Sequence, residues 1–148
     1  KRTTGMVAVC EDLPEAHNRV TLDEHLKDSD GIPAPKIDYT LSDNSRNMLD
    51  HGIARSTEIL KAAGAYEVYS EAPIPYGGWH LMGTARMGKD PANSVVNEWG
   101  RAHDVKNLFI VDGSIFVTSA GVNPTNTIQA LALYVADQMK SRLANLFD

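Results

Sequence analysis

Residues 107–139 read NLFIVDGSIFVTSAGVNPTNTIQALALYVADQM, and the architecture turns on how that stretch is punctuated. Leu108–Val111 is a short apolar run of the length and β-branched character of a buried strand. It stops at Asp112–Gly113, and a loop of small residues, VTSAGVNPTNT, follows over 117–127. Asn123–Pro124 is a helix start: an Asn side chain suits the cap, and proline is tolerated in the first turn. Ile128, Leu131, Ala132, Val135 and Met139 then recur at helical spacing, so a helix is expected over 124–143. Ala130, Leu133, Tyr134 and Ala136 carry the apolar surface around it, so more than one face should be covered. The unit is strand, loop, helix, with the helix N-terminus opening onto residues small enough for another group to approach.

Working outward, the period of 3.6 appears once more upstream. Leu49, Ile53, Ser56, Leu60 and Ala63 advance by alternating steps of four and three, which predicts a helix over 43–63. Ser42 or Asp43 can cap its start, and Gly64 stands where a left-handed residue ends a helix. Before it the pattern is that of strands: GMVAVCEDL at 5–13, NRVTLD at 18–23 and KIDYTL at 36–41, with turn-forming residues over 25–35. YEVYS at 66–70 reads as a further short strand, and a tight hairpin is expected around Trp99–Gly100. The expected class is α+β: an antiparallel sheet with the helix packed across one face, plus the C-terminal strand–loop–helix. One domain is expected over residues 1–148.

Composition narrows the function classes. The 148 residues are 43% hydrophobic and 22% charged, with a net charge of −5 and no basic run, which argues against a nucleic-acid binder. The single cysteine, Cys10, lies in the apolar run MVAVC and reads as a packed thiol; no disulfide within the chain and no cysteine zinc site can form. No metal site is expected, since His17, His25, His51 and His103 lack ligand spacing and read as solvated residues. No apolar run approaches the ~18 residues of a membrane span. With no initiator Met and no signal-peptide core, the chain is expected to be a piece of something longer, and cytoplasmic and periplasmic locations both stay open.

WHLMGTARMG, residues 79–88, concentrates the chemistry. A neutral imidazole at His80 is a natural acceptor for an alcohol proton near pH 7; the alternative is a histidine serving packing alone. Gly83 and Gly88 allow tight bends, and Arg86 is a fixed cation suited to anchoring that turn on carboxylate or carbonyl groups. Asn123 has two readings as well: a helix cap and nothing more, or part of a site at the positive end of the helix dipole. The chain carries no phosphate-binding Gly-x-x-x-x-Gly-Lys-Ser/Thr, since Asp90 follows GTARMGK at 83–89, no Gly-x-Ser-x-Gly elbow and no Gly-x-Gly-x-x-Gly dinucleotide fingerprint.

HLMGTARMG (80–88), the stretch 107–139, and NRVTLD…PAPKIDYTLSDNSRNML (18–49) together resemble the C-terminal part of the glucose–methanol–choline (GMC) oxidoreductases, flavoproteins that oxidise alcohols with FAD. The resemblance implies that His80 and Asn123 are an active-site pair facing the flavin. It implies that Asp112–Gly113 runs beside the ribityl and phosphate region, and that the helix starting at Asn123, Pro124 and Thr125 points at the pyrimidine edge. His80 would take the hydroxyl proton, Asn123 would orient the substrate oxygen, and the hydride would pass to flavin N5. The substrate implied is a sugar, polyol or sugar acid, with a choline-type alcohol as the alternative. Members of the family carry an N-terminal FAD-binding Rossmann half that this chain lacks. The chain alone is therefore expected to bind FAD weakly or not at all, to be inactive, and to expose apolar surface that the other half or a second copy would cover. The competing reading is a non-enzymatic α+β binding or assembly module. The enzyme reading requires His80 and Asn123 at the rim of one open face.

Overall fold

The structure is a computed structural model that describes residues 2–75, 77–119 and 121–142. Its elements in chain order are β1 (Arg19–Lys27), β2 (Pro33–Asp38), α1 (Asp43–Ala62), a 3-10 turn (Gly113–Ile115) and α2 (Thr125–Ser141). The class is α+β, as expected, with one antiparallel two-stranded sheet.

β1 and β2 form a hairpin in which Val20 faces Ile37 and Leu22 faces Pro35. Its turn is built by Asp28, whose carboxylate accepts from the backbone N–H groups of Asp30 and Ile32, and by Gly31 at φ +81°. Asn18 closes the open end, donating to Thr40 O and accepting from Thr40 N. Because side chains alternate across a strand, Val20, Leu22, Pro35 and Ile37 share one face, and Thr21 and Lys36 lie on the other. The apolar face is bare: Leu22 is 68% and Ile37 72% exposed.

α1 has the caps its sequence announces. Ser42 accepts from Ser45 N at the start. At the end Ala65 N donates to Leu60 O and Gly64 N to Lys61 O, with Gly64 at φ +94°, the double bond of a Schellman close. The helix joins the hairpin at its N-terminus, where Asp12 accepts from Ser45 Oγ at 2.7 Å and from the Tyr39 hydroxyl. Along its length it meets the N-terminal segment. A Cβ on Gly52 would lie 2.9 Å from Ala8 Cβ, so this mid-helix glycine lets the segment lie close.

The second half holds the core. Val96, Ala102 and Ile115 are buried together, with Met87, Ile110, Phe116 and Leu131 packed against them. Extended segments bring them there. Val95 N donates to Arg86 O, His103 N to Val95 O, and Ile110 N to Gly100 O. α2 lies over this layer with Val135 buried. Its C-terminal half is tied down by Trp99, which stacks on Tyr134 with ring centroids 6.0 Å apart and lies under the Arg142 guanidinium at 4.2 Å.

Several expectations change. Residues 5–13 and 66–70 are not strands; among the described residues they pair with no other segment. Leu108–Val111 contributes one bridge, Arg101 to Phe109, rather than a strand. The loop expected over 25–35 shrinks, since β1 continues to Lys27 and β2 starts at Pro33; two prolines masked a strand that tolerates them at an edge. The turn at Trp99–Gly100 is present, with Asn97 N donating to Arg101 O and Gly100 at φ +68°. α2 begins at Thr125 rather than 124. Its expected end at 143 and Ala120 of the small-residue loop lie outside the described residues.

Candidate functional site

The residues after His80 run alongside the 3-10 turn. Gly83 N donates to Gly113 O, Ala85 N to Ser114 O and Met87 N to Ile115 O. Three successive alternate bonds fix the register between the two motifs, which lie about thirty residues apart in sequence. Gly83 is required by geometry: its φ is +86°, and a Cβ there would come within 3.1 Å of Phe116 O. Asp112 caps the turn, accepting from Ser114 N at 2.8 Å and Ser114 Oγ at 2.5 Å. Those two bonds, the hydroxyl first, hold its carboxyl below the usual range; a donor satisfied only by the ionised form favours ionisation.

Gly113 is where the pieces converge. A Cβ there would meet Met82 Cγ and Ile128 Cδ1 at 3.3 Å each and Leu81 O at 3.6 Å. The chain just after His80 and the first turn of α2 therefore both reach the same glycine. His80 and Asn123 are both exposed, each next to this junction in sequence.

The start of α2 is open. Pro124 occupies the cap position with no side-chain cap bond, so Asn123 is not the helix cap the sequence suggests. Among the described residues, the first helix-type bond is Ile128 N to Pro124 O, which leaves the N–H groups of Thr125, Asn126 and Thr127 without helix partners. A Cβ on Gly121 would meet nothing within 4 Å.

Arg86 anchors its turn, Nε donating to Asn93 O at 2.7 Å. The surrounding loop includes a residue that sequence reasoning dismissed. His103 is half-buried, not solvated, with Nε2 2.9 Å from Ser94 Oγ. Ser94 has one hydroxyl proton, and Asp90 O at 2.6 Å takes it, so the imidazole must donate through Nε2–H. Gly88 makes room for this arrangement, since a Cβ there would lie 2.9 Å from Ser94 Cβ. An open groove of about 490 Å³ between residues 8–11 and α1 contains no residue of either motif.

A family model described as GMC oxidoreductase matches residues 14–132. The chain belongs to the GMC oxidoreductase family. It is 45% identical to a 2-methyl-1,2-propanediol dehydrogenase of Mycolicibacterium austroafricanum over 93% of this chain and 25% of that protein. It is 44% identical to a 6'''-hydroxyparomomycin C oxidase of Streptomyces lividus over 92% of this chain and 25% of that protein. Its fold is similar to that of pyridoxine 4-oxidase from Mesorbium loti, with a TM-score of 0.64 at 23% identity, covering 88% of this chain and 28% of the other. The chain thus spans about a quarter of the length of the curated relatives it matches.

The family's cofactor is FAD, and the geometry at the start of α2 is compatible with it. Free N–H groups at a helix N-terminus suit an electron-rich ring edge, and Gly121 leaves the flank clear.

Proposed function

We propose that the protein containing this chain is an FAD-dependent oxidoreductase that oxidises a CH–OH group, with His80 as the base and Asn123 as the group that orients the substrate oxygen. The single observation that supports this most is the junction at Gly113, which the segment after His80 and the first turn of α2 both reach. When bound, FAD accepts the hydride of the carbinol carbon. The imidazole of His80 takes the hydroxyl proton, a role worth about 10²–10⁴-fold in rate. The Asn123 side chain, spent on no helix cap, is available to hold the alcohol oxygen in a reactive orientation. The uncapped N–H groups of Thr125 and its neighbours stabilise negative charge as it develops, and Asp112 and Gly113 form the turn beside the cofactor.

For substrate, the reading is a sugar, polyol or sugar acid rather than choline. The dehydrogenase relative is named for 2-methyl-1,2-propanediol. The tertiary carbinol carbon of that diol bears no hydrogen, so only its primary alcohol can yield a hydride. A primary alcohol beside an oxygenated carbon is accordingly the first substrate class to try. The chain alone is expected to bind FAD weakly or not at all and to be inactive, the rest of the protein supplying the pyrophosphate cradle.

The test uses the full-length protein. Bleaching of the oxidised flavin is followed after adding diols, sugars, sugar acids and choline, for wild type and His80→Ala. Rapid bleaching by one alcohol, lost in the variant while flavin stays bound, is expected. A variant reduced at the wild-type rate would remove His80 from the mechanism. A protein with no flavin would leave the assembly-module reading.

A further inference from the structure

We infer that Gly113 is a positioning residue: a spacer whose missing side chain sets how closely the His80 segment and the start of α2 approach. The inference rests on the reading of His80 and Asn123 as the reacting pair. It begins from the two reasons a fold keeps a glycine, backbone conformation and room. Gly31, Gly64, Gly83 and Gly100 sit at positive φ, but Gly113 does not. Its backbone is one that alanine can adopt, so room is the reason.

The direction of the missing Cβ identifies what needs the room. It points at Met82 Cγ, Ile128 Cδ1 and Leu81 O, all atoms of this chain, rather than into the open flank that Gly121 leaves. Leu81 and Met82 directly follow His80, and Ile128 lies in the first turn and a half of α2. One methyl inserted at 3.3 Å from two of these atoms must push at least one back by a few tenths of an ångström. The ladder from Gly83 to Met87 holds the downstream part of the His80 segment in register with residues 113–115. Met82 Cγ and Ile128 Cδ1 are side-chain atoms, so what their rotamers do not absorb is taken up upstream, toward His80, or by the helix start that carries Asn123. A cofactor passing along the backbone of residues 112–113 explains neither the direction of the Cβ nor its two side-chain neighbours.

The test is a cycle in the full-length protein: Gly113→Ala, Ile128→Val, and both together. Ile128→Val deletes the methyl group that the new Cβ would meet. Two readouts are taken: thermal unfolding of the flavin-free protein, and the rate of flavin reduction by saturating alcohol per bound flavin. Gly113→Ala is expected to lower the unfolding temperature and to slow reduction about tenfold per flavin, since a misplacement of about 1 Å at a reacting centre costs about 10²-fold and this one is a fraction of that. Adding Ile128→Val is expected to restore most of both. A role in stability alone would lower flavin content and leave the rate per flavin unchanged, which would overturn the positioning role. Additive unfolding temperatures across the cycle would overturn the spacing itself. Coupled unfolding temperatures, with His80→Ala reduced at the wild-type rate, would trace the failure to the base assignment, and the positioning role would fall with it. Should Gly113→Ala not accumulate, Ile128→Phe presses on the same contact from the helix side and carries the same expectation.

Discussion

Single residues carry the sharpest expectations. The Tyr39 hydroxyl is pushed up to about 12, first by desolvation and then by its hydrogen bond to Asp12 and that carboxylate's charge. A group whose pKa is raised on folding stabilises the fold while protonated. Its contribution is present below pH 10 and is lost as pH climbs from about 10 to about 12. In an ultraviolet titration a tyrosine ionising near 12 should therefore vanish in Tyr39→Phe, and the variant should lose less stability than wild type across that window. Gly64 argues through conformation instead. At φ +94° an alanine is strained by about 1–2 kcal/mol, so Gly64→Ala should lower stability by that amount in denaturant unfolding, with the slope unchanged. Both helix-end glycine and helix-start serine were legible in the sequence, because a cap is a local signal. His103 was not, because its partner Ser94 and the backbone oxygen that fixes its tautomer meet it only through the fold.

At the scale of elements, what was readable divides by how far apart the partners lie. The period of 3.6 fixed α1 to within a residue and α2 to within one at its start, since each helix satisfies its own backbone. Strands take their hydrogen bonds from elsewhere. The runs at 5–13 and 66–70 have β-prone composition but no partner among the described residues, whereas 19–27 and 33–38 find each other across a five-residue turn. The ladder from Gly83 to Met87 along residues 113–115 left no local trace, so the relation between the two motifs came only from the resemblance. The core that this ladder joins is small, and its loss should be costly. Ile115 is fully buried, and Ile115→Ala is expected to remove about 2–5 kcal/mol, measured by urea unfolding of the full-length protein. Gly100→Ala should be severe as well, since its φ is +68° and a Cβ would lie 2.5 Å from Ile110 O.

At the scale of the molecule, the chain exposes 11538 Å², where a compact 16.1 kDa monomer exposes about 7,400 Å². The excess includes the hairpin face of Val20, Leu22 and Ile37 and the outer side of α2, where Leu133 is 73% exposed. Surface of this kind behaves as an interface waiting to be covered. The isolated chain is expected to bind a hydrophobic fluorescent dye strongly, and the full-length protein weakly; equal binding would assign these faces to solvent. The hairpin also constrains how the covering is done. Pro33 and Pro35 have no N–H to donate, and, being two apart, they turn the same side of β2 outward. That edge retains only Ile37 as an amide donor along its outward row, so it is a poor template for another strand. β1 has no proline. The other margin is regular only over Arg19–Leu22, because the register breaks beyond Leu22 and the His25 and Leu26 amides already donate to the Asp23 carboxylate; a strand that extends the sheet is expected to dock there.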